Sequence, residues 1–561
     1  MRWFRTITVL LVWVVLLPAQ YPVSIPLSHP VYSFLDRLET LGVITNAHNA
    51  VRPLTRGQMA RLLKEAEQNA EQLTAIDRQL LAQFLADFRR ELYPKRHYPH
   101  LFPQKSYYSP LLRLAQLKKD FRRLLKRATP EEENHLFVWE DSVYAFYLDF
   151  QLQMGYQQRS DGLWRSGFHP GYYARGYVGD HWGYAAFATQ FTVQGDPVYR
   201  LQVPELRAAF PQDFGTVVFF DRTGAELAYG GTKGEIRFAQ QFTQWGEGES
   251  GQLVISDNAE QFPYLNLKWQ WRWGAFYWLH GKLLPETRDS VGRRPVLPDK
   301  WIAAHRLEVY PWHWLTLAFT ESFIYGNRYM EWSYLIPINL YWSVEHSLQD
   351  RDNKTMALDV EIRRWRGVKW YATLFLDELA FQKLFTNWYG NKQALLAGVV
   401  MTDPLGLTAS SFRLEYVAIM PWVYTHRFAI NRYTHYYRPL GYWTGPNSEV
   451  WYIHTQKYWS WRLLTGLKWQ QWRHGANYPD ENIGGDILLG HDDLLEGQTR
   501  PRTTRRFLEG QLTIQQKANV YLQYQFINQW YLLLTAEWER IQHPQGPKNY
   551  HTIGVQLVID F

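Results

Sequence analysis

The 561-residue sequence contains no cysteine. This absence excludes disulfide scaffolds, cysteine-ligated zinc or iron–sulfur sites and cysteine nucleophiles. The sequence also lacks the apolar runs of roughly 18 residues or more that transmembrane helices need, and its mean hydropathy is −0.39. Basic residues form no cluster, because 60 Lys and Arg are spread among 53 Asp and Glu. A bundle of membrane helices is therefore excluded, and nucleic acid is not an expected partner.

Aromatic residues are abundant instead. They make up 17% of the chain, with 27 Trp and 37 Tyr. This composition suits a β-barrel wall whose side chains alternate between lipid and a wet lumen, with aromatic rings gathered at the two membrane interfaces. The bulk numbers thus favour an outer-membrane barrel.

The first residues have the pattern of a secretory signal. Arg2 and Arg5 precede an apolar stretch from Ile7 to Leu17, and Pro18–Ala19 form a cleavage region. We predict a signal peptide over residues 1–20 and an exported protein. The alternative, an N-terminal membrane anchor, requires a longer apolar segment.

A helical segment is predicted next, over residues 21–130. Its apolar residues recur every three or four positions, and glycine or threonine marks helix ends and starts. We expect one helix before Gly42, a second after Thr55, a third at Asp77–Leu92 and a fourth at about Leu111–Arg127, forming a small bundle on the periplasmic side. The recurring apolar residues of the first helix are Val31, Phe34, Leu35, Leu38 and Leu41.

The first two helices resemble an S-layer-homology unit. The matching residues are Leu41-Gly42-Val43-Ile44, Arg52-Pro53 and Thr55-Arg56-Gly57-Gln58, where Gly57 and Gln58 replace the family's Ala-Glu. The resemblance implies that residues 28–125 bind peptidoglycan or another wall polymer. The alternative is a purely structural helical plug.

After the acidic run Glu131–Glu133 the apolar period changes from 3.6 to 2, which predicts strands with one apolar face. The alternation continues to the carboxyl end, where the last strand finishes at Phe561. The apolar faces are Phe146, Leu148, Phe150, Leu152 and Met154; Leu265, Leu267, Trp269, Trp271 and Trp273; Leu358, Val360 and Ile362; Val520, Leu522, Tyr524 and Phe526; and Ile553, Val555, Leu557, Ile559 and Phe561.

A soluble sandwich or propeller also alternates in this way. The final strand decides against it, because it resembles the recognition signal of bacterial outer-membrane barrels. That resemblance implies the barrel-assembly machinery and outer-membrane lipid as partners. At roughly 20 to 25 residues per strand and connection, the chain allows about 16 to 20 strands. We predict a mainly β fold, a large antiparallel transmembrane barrel of about 18 strands over residues 131–561.

Several motifs resemble the Wzi family of capsule-assembly proteins. That family has a Trp-Gly-Pro-Gly turn followed by a Leu-rich, Ser-Asn-Ala stretch, and Glu247 replaces the proline here. The matching segments are Gln244-Trp245-Gly246-Glu247-Gly248, Gly251 to Ala259, Phe262-Pro263, Ala304 to Leu307, Pro421 to His426, Asn431, Tyr433, Leu440-Gly441 and Gly445 to Ser448. We interpret Trp245, Gly246 and Gly248 as a tight inward loop in which the glycines permit positive φ and Trp245 packs in the lumen.

The resemblance implies a large outer-membrane barrel with a helical bundle and an outer surface that holds extracellular polysaccharide as a lectin does. Two predicted loops carry rings beside polar groups that suit sugars. The alternative for each ring is a place in the interfacial girdle. The candidate polysaccharide-binding residues are Tyr325, Tyr329, Trp332, Tyr436, Tyr437, Arg438 and Trp443.

Other functions stay open at this stage. A porin or transporter would use the charged strand faces to line a water-filled lumen. An enzyme would need a defined pair of carboxylates, and we predict no catalytic residue, cofactor or metal site. The acidic loop from His474 to Arg505 either covers the mouth of the barrel or is a mobile, solvated loop.

Overall fold

The computed structural model describes residues 21–93 except Asn46, residue 133, and residues 135–560 apart from short gaps. The predicted signal peptide, the predicted fourth helix and Phe561 lie outside the described residues. The gaps are 141–142, 204, 207–210, 232, 287–288, 292–293, 349–350, 379, 384–385 and 545.

Eighteen antiparallel strands close into a barrel in this part of the chain, which confirms the predicted fold class. Each strand pairs with its neighbour along the chain, and the last pairs with the first, with Val555 opposite Tyr156. Closure gives the backbone N–H and C=O groups of the wall their partners. The strands are β1 Tyr144–Arg159, β2 Trp164–Val178, β3 Trp182–Gly195, β4 Val217–Gly230, β5 Gly234–Gln241, β6 Phe262–Trp271, β7 Gly274–Leu283, β8 Lys300–Trp312, β9 Leu315–Gly326, β10 Asn353–Trp365, β11 Val368–Glu378, β12 Lys392–Thr402, β13 Ser410–Ile419, β14 Ser448–Ser460, β15 Leu463–Ala476, β16 Gln511–Ile527, β17 Trp530–His543 and β18 Gly546–Asp560.

The predicted period-2 faces correspond to the two sides of this wall. On β10, Asp359 faces the lumen, where it accepts a hydrogen bond from Arg306 at 2.5 Å. Its neighbour Leu358 faces outward and is 50% exposed. Because successive side chains of a strand alternate, a polar lumen and an apolar exterior follow from one sequence pattern.

The connections differ in length between the two ends of the barrel. At one end, the turn end, adjacent strands are joined by short segments such as Arg366–Gly367. At the other, the loop end, the connections include residues 196–216, 242–261, 284–299, 327–352, 420–447 and 477–510. Pro421 follows β13 and lies at the loop end, so β13 runs from the turn end to the loop end, and the direction of every other strand follows from antiparallel pairing.

Four helices precede the wall among the described residues: α1 Val31–Thr40, α2 Arg56–Gln68, α3 Ala75–Asp87 and α4 Arg89–Leu92. Gly42 follows α1 at φ +71°, and the Thr55 hydroxyl accepts a hydrogen bond from Gln58 N at 3.0 Å at the start of α2. The predicted third helix is not continuous, because Phe88 separates α3 from α4. None of the described helices is both long enough and apolar enough to cross a membrane.

The helical segment enters the turn end and reaches into the lumen. The amide of Ser24 donates to Glu226 of β4 at 2.7 Å. Asn528, between β16 and β17, donates to Asp87 of α3 at 3.0 Å. The segment therefore contacts the inner wall on several sides at this end, and we call it the plug.

We expect Asp87→Asn to stabilise the plug at alkaline pH. Burial first, and then the charge of Glu133, raises the pKa of Asp87 to about 7. A raised carboxyl pKa makes ionisation unfavourable in the fold, so stability falls as the pH rises from about 4 through 7. The variant should raise the thermal unfolding midpoint at pH 8 and change it little at pH 4, as measured by circular dichroism.

The control for this measurement is Glu67→Gln, which removes an exposed acid of the same helical segment. It should leave the midpoint unchanged at both pH values. An equal gain for Asp87→Asn at pH 4 and pH 8 would contradict the ionisation argument.

Candidate functional site

The connection from β5 to β6, residues 242–261, folds into the lumen, and we call it the inward loop. Trp245 is fully buried, and Gly246 and Gly248 have φ of +114° and +119°. Residues Gln244–Trp245 form a short antiparallel ladder with Val51–Arg52 of the helical segment. The inward loop from one end and the helical segment from the other thus meet inside the barrel.

Buried ion pairs fasten the helical segment to the wall, and we call them the plug latch. Asp36 on α1 is bonded to Lys369 of β11 and Arg413 of β13, and Glu39 is bonded to Arg363 of β10. Burial opposes ionisation of Asp36, but the charges of Lys369 and Arg413 outweigh it and lower its pKa to about 2. Asp36 therefore stays charged at any physiological pH.

Neighbouring ion pairs extend the latch. Arg37 donates to Asp77 at 2.7 Å and to Asp403, between β12 and β13, at 2.9 Å. Lys369 also lies 3.8 Å from Glu247 of the inward loop. One set of charges thus connects the plug, the wall and the inward loop.

The connection from β13 to β14, residues 420–447, also enters the barrel, and we call it the mouth loop. Tyr424 and Tyr433 are fully buried with ring centroids 5.5 Å apart. The Tyr424 hydroxyl donates to Leu253 O of the inward loop at 2.7 Å, and the Tyr433 hydroxyl lies 3.0 Å from Ser322 of β9. The mouth loop therefore packs between the inward loop and the wall.

The acidic connection 477–510 lies over the mouth. Trp422 N of the mouth loop donates to Gly484 O at 3.0 Å, and the Tyr389 ring stacks on His491 at 3.4 Å. Asp493 pairs with Arg432 at 3.3 Å. Of the two alternatives from the sequence, these contacts favour a cover over a mobile loop.

Part of the lumen remains open beside these inserts. A cavity of about 560 Å³ lies between the helical segment and strands β14 to β17. Most of its lining residues are polar, so water can fill it. The wall residues that line it include Gln456, Lys468, Asn519, Tyr521 and Gln523.

An aromatic hairpin in the mouth loop presents three of the predicted polysaccharide-binding residues. Short strands Thr434–His435 and Arg438–Pro439 pair across Tyr436 and Tyr437. Tyr437 is 46% exposed, Arg438 is exposed and Tyr436 is partly exposed. The two rings meet edge to face at 4.3 Å. The hairpin thus offers ring surface and a guanidinium side by side.

Buried polar groups hold this hairpin in place. Tyr436 N donates to Leu284 O at 2.6 Å, and Leu284 N donates to His435 Nδ1 at 3.0 Å. Burial and the charge of Lys300 lower the pKa of His435 to about 3. The imidazole is therefore neutral at pH 7 and its Nδ1 can accept that bond. Lys300 also donates to Thr434 at 2.8 Å.

The other predicted site residues lie elsewhere. Tyr325 belongs to β9, not to the connection after it, and is fully buried, so its ring has no accessible face. Tyr329 and Trp332 lie beyond β9 and are 89% and 81% exposed. Trp443 is partly buried beside Trp472, with ring centroids 5.7 Å apart. The seven residues therefore do not form one surface.

Sequence reasoning did not identify the plug latch. Asp36 and Glu39 lie on a short helix whose apolar residues are also buried, and their partners lie more than 300 residues away. The available signal was a pair of acids, Asp36 and Glu39, on a short helix whose apolar residues recur at core spacing. That pattern indicates a buried polar contact but does not name the partner.

Comparison with known proteins gives the family. The model of the family described as capsule assembly protein Wzi matches residues 168–549, more than half of the chain. The chain belongs to the Wzi capsule-assembly family. No curated protein sequence matches this Wzi-family chain.

Solved structures resemble the Wzi-family barrel at low sequence identity. Wzi of Escherichia coli, described as an outer-membrane, carbohydrate-binding β-barrel involved in group 1 capsule assembly, is 11% identical, with a TM-score of 0.52 over 96% of this chain and 98% of that chain. OprD of Pseudomonas aeruginosa is 12% identical, with a TM-score of 0.39 over 74% and 95%. OpdK of the same organism, with vanillate, is 11% identical, with a TM-score of 0.41 over 74% and 99%.

We expect Asp36→Lys to open the lumen of the Wzi-family barrel. The variant places a third cation beside Lys369 and Arg413, and disruption of a buried ion pair costs about 3–5 kcal/mol. Detachment of the helical segment should raise the ion conductance in planar bilayers several-fold above that of the unaltered protein.

Glu71→Lys is the matched control, because it makes the same charge change at an exposed position of the helical segment. It should leave conductance unchanged. A large, steady conductance of the unaltered protein, or an Asp36→Lys variant that stays silent, would refute the role assigned to the latch.

Proposed function

We propose that the chain is an outer-membrane barrel that binds extracellular or capsular polysaccharide and anchors it at the cell surface without catalysis. Membership of the Wzi family and the likeness to a barrel described as carbohydrate-binding support this role. In outer-membrane barrels the short turns are periplasmic and the long loops extracellular. On that basis the turn end with the helical segment faces the periplasm, and the loop end faces outward.

The observation that carries the proposal is the aromatic hairpin above a lumen that is largely occupied by inserted segments. Tyr437 and Arg438 are exposed at the mouth, while the inward loop, the mouth loop and the helical segment occupy much of the interior. Aromatic rings cover the apolar faces of sugar rings, and guanidinium groups bond to hydroxyls or carboxylates. A repeating polymer can bind through many weak contacts of this kind.

The largely occupied lumen also favours binding over transport. A porin needs a continuous water-filled path, whereas the plug latch fastens the helical segment across the turn end. The remaining polar cavity is bounded by residues of that same segment, among them Asp36 and Arg37.

For the helical segment we propose the role of a structural plug. The residues that resemble an S-layer-homology unit are used internally: Arg56 pairs with Glu91 at 2.6 Å, and Gln58 accepts a bond from Lys268 of β6 at 2.6 Å. Peptidoglycan binding through residues 28–125 is a separate prediction. Full-length solubilised protein should co-sediment with purified peptidoglycan if it holds, and no retention would remove it.

At the other end of the chain, β18 is the proposed contact for the barrel-assembly machinery. Its outward residues Ile553 and Val555 are 71% and 41% exposed. They continue the apolar face that the sequence shows through Ile559. The same strand pairs with β1 and so closes the wall.

We expect the double variant Tyr437→Ala, Arg438→Ala to release polysaccharide from the cell. An aromatic pair contributes about 0.5–1.5 kcal/mol, and we expect a ring stacked on a sugar to contribute a similar amount. Loss of the ring and the guanidinium should therefore lower binding on the order of tenfold. The measurement is complementation of a deletion strain in the native host, with cell-bound and released polysaccharide assayed separately. Cell-bound polymer should fall and released polymer should rise.

Leu494→Ala is the control, because Leu494 is 45% exposed in the connection 477–510 but carries neither a ring nor a charge. It should retain polysaccharide normally. Unchanged retention in the deletion strain itself would overturn the proposed function, and unchanged retention in the double variant alone would exclude the hairpin as its site.

A further inference from the structure

The side chains of β9 can be assigned to the two sides of the wall. Thr320 accepts a bond from the lumen-facing Arg306 at 3.1 Å, and Ser322 lies 3.0 Å from Tyr433 of the mouth loop. Both therefore face the lumen. Because side chains alternate along a strand, the residues between and beyond them face outward. These are Glu321, Phe323 and Tyr325.

The outward residues near the loop end are nevertheless buried. Phe323 and Tyr325 are fully enclosed. Tyr334 and Tyr341, from the connection between β9 and β10, cover Phe323 with ring centroids at 5.4 Å and 5.7 Å. This connection, residues 327–352, therefore folds back over the outside of the barrel, and we call it the outer flap.

The outer flap has a defined internal structure. It contains a short helix at Tyr341–Ser347, which we label α5. At its base Arg328 pairs with Asp352 at 2.6 Å, and Asp352 also accepts a bond from the Tyr334 hydroxyl at 2.8 Å. The Tyr341 hydroxyl accepts a bond from Trp278 Nε1 of β7 at 2.6 Å. These bonds fix the flap against the wall.

The wall beneath the flap carries polar groups. His305 and Glu321 face outward and lie 2.9 Å apart, and Trp342 N of the flap donates to Glu321 at 3.2 Å. Lys354 of β10 pairs with Glu345 of α5 at 2.8 Å. Ionisable groups on the outer face of a barrel are unfavourable in contact with lipid. The flap separates these groups from the surroundings and supplies bonding partners.

The opposite surface of the flap is apolar. Ile338 is 85% exposed, Leu340 is 68% exposed and Ile336 is 51% exposed. Branched aliphatic side chains provide neither the ring faces nor the hydrogen bonds that sugars require. Exposed aromatic residues flank them in the same segment: Tyr329, Trp332 and Trp342.

This apolar surface is continuous with the lipid-facing wall. Leu307 and Phe319 are the next outward residues after His305 and Glu321 toward the turn end, and they are 43% and 38% exposed. Leu358 of β10 lies opposite Phe319 and is 50% exposed. The flap therefore extends the apolar exterior over a part of the wall that is itself polar.

We propose that the outer flap is embedded in the outer leaflet of the membrane, with Ile336, Ile338 and Leu340 against lipid acyl chains. Its aromatic residues, Tyr329, Trp332 and Trp342, lie at headgroup level, as Trp and Tyr do in interfacial belts. The flap thus allows polar side chains on the outer face of β8 to β10 without exposure to hydrocarbon. The proposal rests on the membrane position of the barrel and is independent of the polysaccharide.

The absence of cysteine makes a direct test possible, since a single introduced thiol is labelled specifically. Full-length Ile338→Cys carries a fluorophore and is reconstituted in phosphatidylcholine vesicles. Quenching is measured with lipids that carry bromine on the acyl chains and, separately, with water-soluble iodide. Leu358→Cys on the wall is the lipid-facing control, and Leu494→Cys in the connection 477–510 is the water-facing control.

We expect the label at position 338 to resemble that at 358, with acyl-chain quenching several-fold above that at 494 and iodide quenching several-fold below it. Strong iodide quenching at 338 would place the flap in water and overturn the proposal. Protection from both quenchers would place it against protein, such as a second copy of the chain, and would overturn the lipid assignment as well. Leu340→Cys is the second variant should Ile338→Cys not fold.

Discussion

Closure of the sheet is the constraint on which the rest of the molecule depends. The pairing of β18 with β1 completes the ring, so the wall satisfies its backbone groups without help from water. A closed wall has an inner and an outer side, and successive side chains of each strand point to these two sides alternately. The apolar exterior and the polar lumen are consequences of the same geometry, as Leu358 and Asp359 illustrate.

A polar lumen creates a second requirement, because charges removed from water need partners. Lys369 and Arg413 face inward from β11 and β13. Lys369 is almost completely buried, and Arg413 is largely buried. Asp36 supplies one compensating charge, from a helix near the start of the described residues. A buried charge without a partner is strongly destabilising. The plug is therefore stable only in the position where its acids meet these cations. The wall and the plug are thus mutually dependent, and the inward loop joins them through Glu247.

The same rule applied to the outside of the wall accounts for the outer flap. His305 and Glu321 interrupt the apolar exterior, and a segment rich in exposed aliphatic residues lies over them. The aromatic hairpin at Tyr436 and Tyr437 is different, since its rings are exposed above the mouth and have a guanidinium beside them. Two groups of aromatic residues that look alike in sequence therefore occupy different environments.

The sequence by itself determined the barrel and its strand number to within two. It also determined the apolar faces of the named strands, the end of the first helix and the start of the second, because these depend on local periodicity and capping. Only the tertiary structure decided which charge meets Asp36, that Tyr325 is buried, and that the connection after β9 lies outside the wall while that after β13 lies inside. Such contacts join residues far apart in the chain. No local pattern carries them, because they depend on how strands from distant parts of the sequence come together when the ring closes.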